Sequence, residues 1–355
     1  MNMELSERYQ QILSATIRHY VATAEPVGSK TLMQEYDLSV SPATIRNAMG
    51  RLEKVGLLYQ PYTSAGRIPS DSGYRTYVDQ LMTPDESFGE QLLNLYTQNL
   101  DWGTGSLESL LQRAAQILST VSGHIALVTI PQNSKSRLYH LQLVPLTRQQ
   151  VMLVMVTDSY YTQSVVLEFP EDQLLPDVDE ESWQRELQIL SNFLNQKLRG
   201  ESLMTLNCLD WGELDREFNN YAEFLRGILQ ELRQRSHSYA PILIRGISEA
   251  LRQPEFSQLQ QVQMLMQLLE KEQEQLFPLI FELPDSQGDS KRVVVRIGTE
   301  NDLEALNVCT LITANYRKGD VPVGSVGLLG PTRMLYENAI AMVEATADYL
   351  SETLS

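Results

Sequence analysis

The sequence predicts an α+β protein that begins with a winged helix-turn-helix. Three observations carry this prediction: helix-start signals recur within residues 1–56, a short strand pair follows around a Ser-Ala-Gly-Arg turn, and two groups of β-rich runs flank a long helical stretch. At about 150 residues per domain, the 355 residues correspond to two or three domains.

The first two helices follow from the spacing of apolar residues. After Ser6, apolar residues recur every three or four positions and define one helix face: Tyr9, Ile12, Leu13, Ile17, Tyr20 and Val21. A shorter helix is predicted from Ser29 to Leu38, and its inward face is Leu32, Met33 and Tyr36.

The third helix has the clearest start. Ser41 is a strong N-cap residue, Pro42 suits the first helical position, and Gly56 suits the left-handed conformation that ends many helices. An inward face of Ile45, Met49 and Leu52 leaves six positions exposed: Ala43, Thr44, Arg46, Asn47, Gly50 and Arg51. The second and third helices are joined by a short turn, and the third opens at Ser41 and Pro42, so the two are interpreted as a helix-turn-helix. The exposed side chains suit the major groove, where Arg can pair with guanine and Asn with adenine.

A wing is predicted after the third helix. Residues 57–60 form one strand, residues 64–67 form a turn, and residues 67–69 form a short return strand. Arg67 is expected to project from this wing toward phosphate or the minor groove. The alternative is a winged helix that contacts only proteins, and the pattern alone leaves it open.

Charge is distributed unevenly along the chain. The 28 Lys and Arg against 45 Asp and Glu give a formal charge of −17, which by itself argues against nucleic acid. Residues 1–82 are neutral, however, and residues 41–77 have a net charge of +3, so all of the acidity lies in residues 83–355. The chain is interpreted as a locally basic module on an acidic body, although a charge of +3 is also common on ordinary surfaces.

The body is predicted to combine strands and helices. Residues 83–105 are interpreted as a linker with one short helix, and Gly103 and Gly105 mark its end. A helix over 107–121 comes next, and four β-rich runs then indicate an antiparallel sheet, at 125–131, 137–146, 150–157 and 163–169. Two more β-rich runs, at 292–298 and 324–330, precede a final helix whose buried stripe is Leu335, Ala339, Met342, Val343 and Leu350.

The two parts of this sheet are separated by a mainly helical stretch, so one α+β domain with an insertion is expected. Two apolar stripes lie in the helical stretch, from Phe218 to Leu232 and from Leu259 to Leu276. Each stripe suits either an internal core or a subunit interface.

Nothing in the sequence indicates catalysis, a metal or a cofactor. Cys208 and Cys309 form no CxxC pair, the four histidines have no ligand spacing, and no nucleophile–base set stands out. The apolar runs are far shorter than the ~20 residues of a membrane span, and no signal peptide is visible. The chain is therefore expected to be a cytoplasmic protein with no enzymatic activity, metal, cofactor or membrane partner.

Several strings closely resemble one protein family. The N-terminal domain of HrcA, the bacterial heat-inducible transcription repressor family, is similar to LSERYQQIL, YVATAEPVGSKTL, YDLSVSPATIRNAMGRLEKVGLL and QPYTSAGRIPSDSGYRTYVD. The resemblance resumes near the end of the chain in VRIGTEN and NYRKGDVPVGSVGLLGPTRMLY.

The resemblance implies a complete architecture and a function. It implies a winged-helix DNA-binding domain at 1–82, a linker at 83–105, a GAF-like domain at 106–192 and 270–355, and a mainly helical inserted dimerisation domain at 193–269. It also implies a homodimer that represses heat-shock (chaperone) operons at an inverted-repeat operator and is modulated by the GroEL chaperonin.

The expected DNA-binding residues lie at the helix starts, on the third helix and in the wing: Ser29, Lys30, Ser41, Ala43, Thr44, Arg46, Asn47, Arg51, Thr63, Ser64 and Arg67. Two alternatives remain at this stage. One is a winged-helix repressor gated by a small molecule in the GAF-like domain, and the other is an adaptor that binds protein rather than DNA.

Overall fold

A computed structural model describes residues 5–36, 38–100, 106–131, 137–147, 149–157, 162–168, 180–201, 242–281 and 292–355. Helices and strands are both abundant among them, so the protein is of the α+β class. The chain divides into two compact units: the first comprises Met1–Ile130 and Pro241–Ser355, and the second comprises Pro131–Ala240.

The first unit begins with three helices, α1 (Glu7–Thr23), α2 (Ser29–Glu35) and α3 (Pro42–Lys54). Their apolar faces form a core in which each residue is at most 3% exposed: Ile12, Leu13, Ile17, Leu32, Ile45, Met49 and Leu52. The predicted helix starts are confirmed. Met33, predicted to face inward, is 40% exposed, because the seven-residue α2 buries only Ser29 and Leu32.

Two short strands follow, β1 (Leu58–Tyr59) and β2 (Ile68–Pro69), and they pair antiparallel as predicted. The base of this pair is joined to the α1–α2 turn through a bridge between Val27 and Arg67, with both backbone N–O distances at 2.9 Å. A Cβ atom on Gly66 would lie 2.4 Å from the Val27 carbonyl oxygen, so this close approach requires glycine.

The chain then enters the rest of the first unit through α4 (Asp71–Thr76), a π-helical turn (Tyr77–Leu81), α5 (Glu86–Asn99), α6 (Leu107–Ser122) and β3 (Ile125–Thr129). The helix predicted over 107–121 is confirmed. α5, the helix of the predicted linker, packs into the core, because Leu92 and Tyr96 are buried and the Tyr96 hydroxyl lies 2.9 Å from Thr346 Oγ1. Gly103 and Gly105, the predicted boundary, lie outside the described residues.

The second unit contains a three-stranded antiparallel meander and one long helix: β4 (Leu138–Pro145), β5 (Gln150–Thr157), β6 (Thr162–Glu168) and α7 (Glu180–Leu198). α7 covers the free side of β4 with polar side chains. The Asn195 amide pairs with both backbone groups of Leu141, and Ser191 Oγ accepts the backbone N–H of Leu143 at 2.9 Å. These bonds satisfy an edge strand that would otherwise be open to another chain.

The chain then returns to the first unit, where the described α-helices and β-strands are β7 (Ile242–Arg245), α8 (Ile247–Ala250), α9 (Leu259–Lys271), α10 (Gln273–Ile280), β8 (Val293–Ile297), β9 (Cys309–Lys318), β10 (Val321–Pro331) and α11 (Tyr336–Leu354). Five strands form an antiparallel sheet in the order β7-β3-β10-β9-β8. α5, α6 and α11 pack together, and α11 lies on β9 and β10. No helix among the described residues is long and apolar enough to cross a bilayer.

Two sequence predictions about this sheet were wrong. The runs at 137–146, 150–157 and 163–169 do not join the run at 125–131, since β4, β5 and β6 form a sheet of their own. β7 lies within the predicted helical insertion but pairs with β3 in the main sheet. Periodicity identifies a strand and not its partner, so the pattern could not assign either sheet.

The second unit, at 131–240, does not coincide with the insertion predicted at 193–269. Of the two predicted stripes, the one from Phe218 to Leu232 lies outside the described residues. The stripe from Leu259 to Leu276 is divided between α9 and α10, and its first residue, Leu259, is 71% exposed. In α11 the predicted stripe is buried except for Leu335, which precedes the helix and is 57% exposed.

Candidate nucleic-acid interface

The candidate site is built on the outer face of α3. Burial of Ile45, Met49 and Leu52 fixes the rotation of this helix against α1 and α2. The opposite face therefore exposes Ala43, Arg46, Asn47 and Arg51, while Thr44 and Gly50 are half-buried. This is the face that the apolar spacing predicts.

Two hydroxyl groups lie at the N-terminal end of α3. Ser41 Oγ accepts the backbone N–H of Thr44 at 3.2 Å and lies 2.9 Å from Thr44 Oγ1. Capping fixes where the helix begins, and the helix dipole adds a partial positive charge there. The start of α3 is thus a defined, polar and exposed edge.

The side chains of Arg46 and Asn47 have no hydrogen bond or ion pair with any other described residue. Both side chains are exposed on adjacent positions of α3. Their donors and acceptors are therefore available to a ligand. Arg51, one turn later, is more constrained, because its Nη1 donates to Tyr9 Oη of α1 at 3.0 Å.

An open groove of about 960 Å³ lies between the first turn of α1 and α3. The structure brings together in it three predicted residues, Thr44, Asn47 and Arg51, with Arg8 and Tyr9. Sequence reasoning missed Arg8 and Tyr9. The available signal was a basic residue in the first turn of α1, where the helix dipole disfavours positive charge.

The loop between β1 and β2 forms a second exposed edge. Thr63 and Ser64 are exposed, and Tyr62 beside them is 61% exposed. The Gln60 amide shapes the loop, because its Nε2 donates to the Thr63 and Ala65 carbonyl oxygens at 2.9 Å each. These two hydrogen bonds hold Thr63 and Ser64 at the tip of the loop.

Two predicted DNA-binding residues are placed differently from expectation. The Arg67 guanidinium does not project from the loop, since its Nε and Nη2 atoms each lie 3.0 Å from Glu53 Oε2 of α3. Ser29, the first residue of α2, is 8% exposed, whereas its neighbour Lys30 is exposed. The ion pair accounts for Arg67, because a carboxylate on the facing helix attracts the guanidinium inward.

The chemistry of this face suits hydrogen bonding to a polyanion rather than catalysis. It combines guanidinium, amide and hydroxyl groups on residues 41–77, whose net charge is +3. No group of three or more His, Cys, Asp or Glu within the described ranges is arranged to hold a metal ion.

Comparison with known proteins places the chain among bacterial repressors. The family model for the HrcA protein C terminal domain matches residues 108–340, more than half of the chain. The heat-inducible transcription repressor HrcA of Trichormus variabilis is 56% identical over 365 residues, and the match covers 100% of both proteins. The protein of the same name from Synechocystis sp. is 47% identical over 375 residues, covering 99% of this chain and 98% of that protein.

A solved structure described as a hypothetical protein at 2.2 Å resolution has a TM-score of 0.58. The match covers 99% of each chain at 23% identity, so it shows a shared fold and nothing about function. The sequence relatives are more informative, since they extend over both the candidate interface and the body. They and the matched family model show that this chain belongs to the HrcA family of heat-inducible transcription repressors.

Proposed function

We propose that this chain is a cytoplasmic repressor that binds a specific DNA operator upstream of heat-shock (chaperone) operons. Its family supports repression, and the outer face of α3 supports DNA as the ligand. The observation that carries the proposal is the pair Arg46 and Asn47, which are adjacent, exposed and without a partner among the described residues.

In this proposal residues 1–82 are a winged helix-turn-helix domain with α3 as the recognition helix. A major groove about 12 Å wide accepts one helix of about 10–12 Å diameter. Thr44, Arg46 and Asn47 lie on the N-terminal half of α3, from which base edges are read, and Arg and Asn can each form two hydrogen bonds with one base.

Phosphate contacts in this proposal come from exposed residues around the recognition helix: Lys30, Ser41, Arg51, Thr63 and Ser64. Arg67 has a different role from the one that its sequence position predicts. Its ion pair with Glu53 ties the β1–β2 loop to α3, so it fixes the distance between the wing and the recognition helix.

We place the chain in a homodimer on an inverted repeat. Soluble oligomers are most often twofold symmetric, and two recognition helices related by a twofold axis read two inverted half-sites. By family resemblance, the sheet domain is GAF-like, and an inserted domain carries the dimer contacts.

A mobility-shift assay on the upstream region of the chaperonin operon tests this function. Matched DNA controls are a scrambled inverted repeat and a single half-site, each measured over a salt series. We expect a preference for the inverted repeat and an affinity that falls steeply with salt, because Lys and Arg displace counterions from phosphate. Absence of sequence preference at low salt would refute specific operator binding and favour a protein-binding adaptor.

GroEL modulation is the second part of the proposal, and it rests on family resemblance and on the heat-inducible names of the relatives. Heat removes the DNA-binding fold, and the chaperonin restores it. The test is operator affinity after a heat pulse, with and without GroEL and ATP. Undiminished affinity after heating, with no effect of GroEL, would contradict it. Operator release by a metabolite that raises the unfolding temperature would instead support small-molecule gating.

A further inference from the structure

Residues 5–82 are held against the rest of the first unit by a polar cluster that the DNA-binding proposal does not use. Asp71 and Arg75 of α4 meet Thr299 and Glu300, which follow β8. These four residues are called the latch below. Thr299 and Glu300 belong to the VRIGTEN string, a family-like segment for which the sequence suggested no role.

One half of the latch is a bidentate ion pair between Arg75 and Glu300. Arg75 Nε donates to Glu300 Oε1 at 2.8 Å, and Arg75 Nη2 bonds Glu300 Oε2 and the Val295 carbonyl oxygen, the latter at 2.6 Å. The hydrogen bond to Glu300 raises the pKa of Arg75. Burial raises the pKa of Glu300, but the bonds from Arg75 and from the Ile297 N–H outweigh burial, so its pKa is lowered. Bidentate geometry distinguishes this pair from an ordinary surface ion pair.

The other half of the latch is the contact of the Asp71 carboxylate with Thr299. Asp71 Oδ2 accepts the Thr299 N–H at 3.0 Å and the Thr299 hydroxyl at 2.9 Å. Gly298 has φ +53°, and a Cβ there would lie 2.3 Å from Asp71 Oδ2. Glycine therefore permits both the left-handed turn and the close approach of the carboxylate.

Three further hydrogen bonds lie away from the latch on other elements. The Tyr77 hydroxyl donates to Glu337 at the start of α11, and Arg18 Nε of α1 donates to Tyr77 Oη at 3.1 Å. Arg333 Nη1 donates to the Val21 carbonyl oxygen near the end of α1 at 2.7 Å. A single contact would allow α3 to pivot with α1, whereas contacts on α1, α4 and the π-helical turn oppose rotation.

We propose that Asp71, Arg75, Thr299 and Glu300 are positioning residues that set the half-site spacing accepted by the repressor. This inference rests on the proposed function, because spacing matters only if two recognition helices bind one inverted repeat. The latch holds α3 at one angle to the rest of the first unit. Opening the latch removes part of this restraint, so each α3 reaches half-sites at other spacings more readily, without changing how it reads a single half-site.

The test measures affinity of the full-length protein for three DNAs: the inverted repeat, the same repeat with 5 bp added between half-sites, and one half-site. Adding about half a helical turn moves the second half-site to the opposite side of the duplex. For the wild type we expect about tenfold weaker binding to the lengthened repeat. Glu300→Gln and Thr299→Val are expected to reduce this ratio to about threefold or less, with half-site affinity within about twofold of wild type.

The matched control is Glu304→Gln, which neutralises an exposed carboxylate four residues along the chain and should keep the wild-type ratio. Exchanging the charges, Arg75→Glu with Glu300→Arg, should restore part of the preference for the inverted repeat over the lengthened repeat that Glu300→Gln loses. Thr299→Val removes a single exposed hydroxyl, so it provides the measurement even if Glu300→Gln fails to fold.

An unchanged ratio in folded Glu300→Gln or Thr299→Val would overturn the inference. So would an equal loss of affinity for all three DNAs, because the residues would then act on the DNA-binding fold itself. If the wild type binds one half-site as tightly as the inverted repeat, the dimeric operator is refuted and the spacing role with it. If the wild type prefers the inverted repeat over the lengthened repeat and the variants keep that preference in full, the spacing role is refuted and the dimeric operator is not.

Discussion

At the level of single residues, two buried tyrosines pack against each other, but only one of their hydroxyl groups is hydrogen bonded to another described residue. The rings of Tyr74 and Tyr336 lie 5.6 Å apart between centroids. The Tyr336 hydroxyl donates to the Thr332 carbonyl oxygen at 2.7 Å and lies 3.0 Å from Thr310 Oγ1. The Tyr74 hydroxyl has no hydrogen-bond partner within the described part of the chain. A buried polar group without a partner costs about 1–3 kcal/mol.

Replacing each tyrosine with phenylalanine should therefore have opposite effects. Tyr74→Phe removes an unpaired hydroxyl and keeps the ring, so we expect the free energy of unfolding to rise by about 1 kcal/mol. Tyr336→Phe removes a paired hydroxyl and should lower it by about 1 kcal/mol. Denaturant unfolding of both full-length variants measures the difference. A loss of stability in Tyr74→Phe would contradict the assignment of an unpaired hydroxyl.

Arg46 is the residue expected to contribute most to base recognition. Arg46→Ala should cost about 1–3 kcal/mol of specific binding and relax the preference at one base pair. The control is Lys54→Ala, which removes a positive charge from an exposed position at the far end of α3. It should weaken binding slightly and equally for all sequences. If Arg46→Ala and wild type rank a set of single-base operator variants identically, Arg46 does not read a base.

At the scale of elements, the start of α3 depends on one side chain. Ser41 Oγ accepts the Thr44 N–H, which has no partner within the helix. Ser41→Ala should lower the free energy of unfolding by about 0.5–2 kcal/mol, measured without DNA so that lost phosphate contacts do not contribute. Ser39→Ala, at an exposed position just before the helix, should change it by less than about 0.5 kcal/mol. Equal effects of the two changes would exclude the cap as the cause.

At the scale of the whole molecule, the uneven charge should suppress non-specific binding. Residues 83–355 carry all of the net charge of −17, so we expect the body to repel DNA. Changing four exposed carboxylates to Gln should raise non-specific affinity severalfold at low salt and hardly at high salt: Glu86, Glu90, Glu270 and Glu274. Changing the same four to Asp keeps the charge and is the control. Equal non-specific affinities in the Gln and Asp variants would contradict a role for body charge.

Much of the candidate interface could be predicted from the sequence, and the part that could not depends on contacts across the fold. The exposed positions of Arg46, Asn47 and Arg51 follow from the apolar spacing of one helix. The inward turn of Arg67 does not, since its partner Glu53 lies on a different element. The nearness of Arg8 to α3 likewise depends on how α1 packs, which no local pattern encodes.

Local sequence patterns were enough to identify the family, the α+β class and the bounds of α1, α3, α6 and α11 to within a few residues. Caps and helical periodicity act over one or two turns, so a short window contains all of their information. The tertiary structure decided which strands share a sheet, and it joined Val128 to Val326 while keeping β4–β6 separate. It also decided the latch, because Arg75 and Glu300 are 225 residues apart and only folding brings them together.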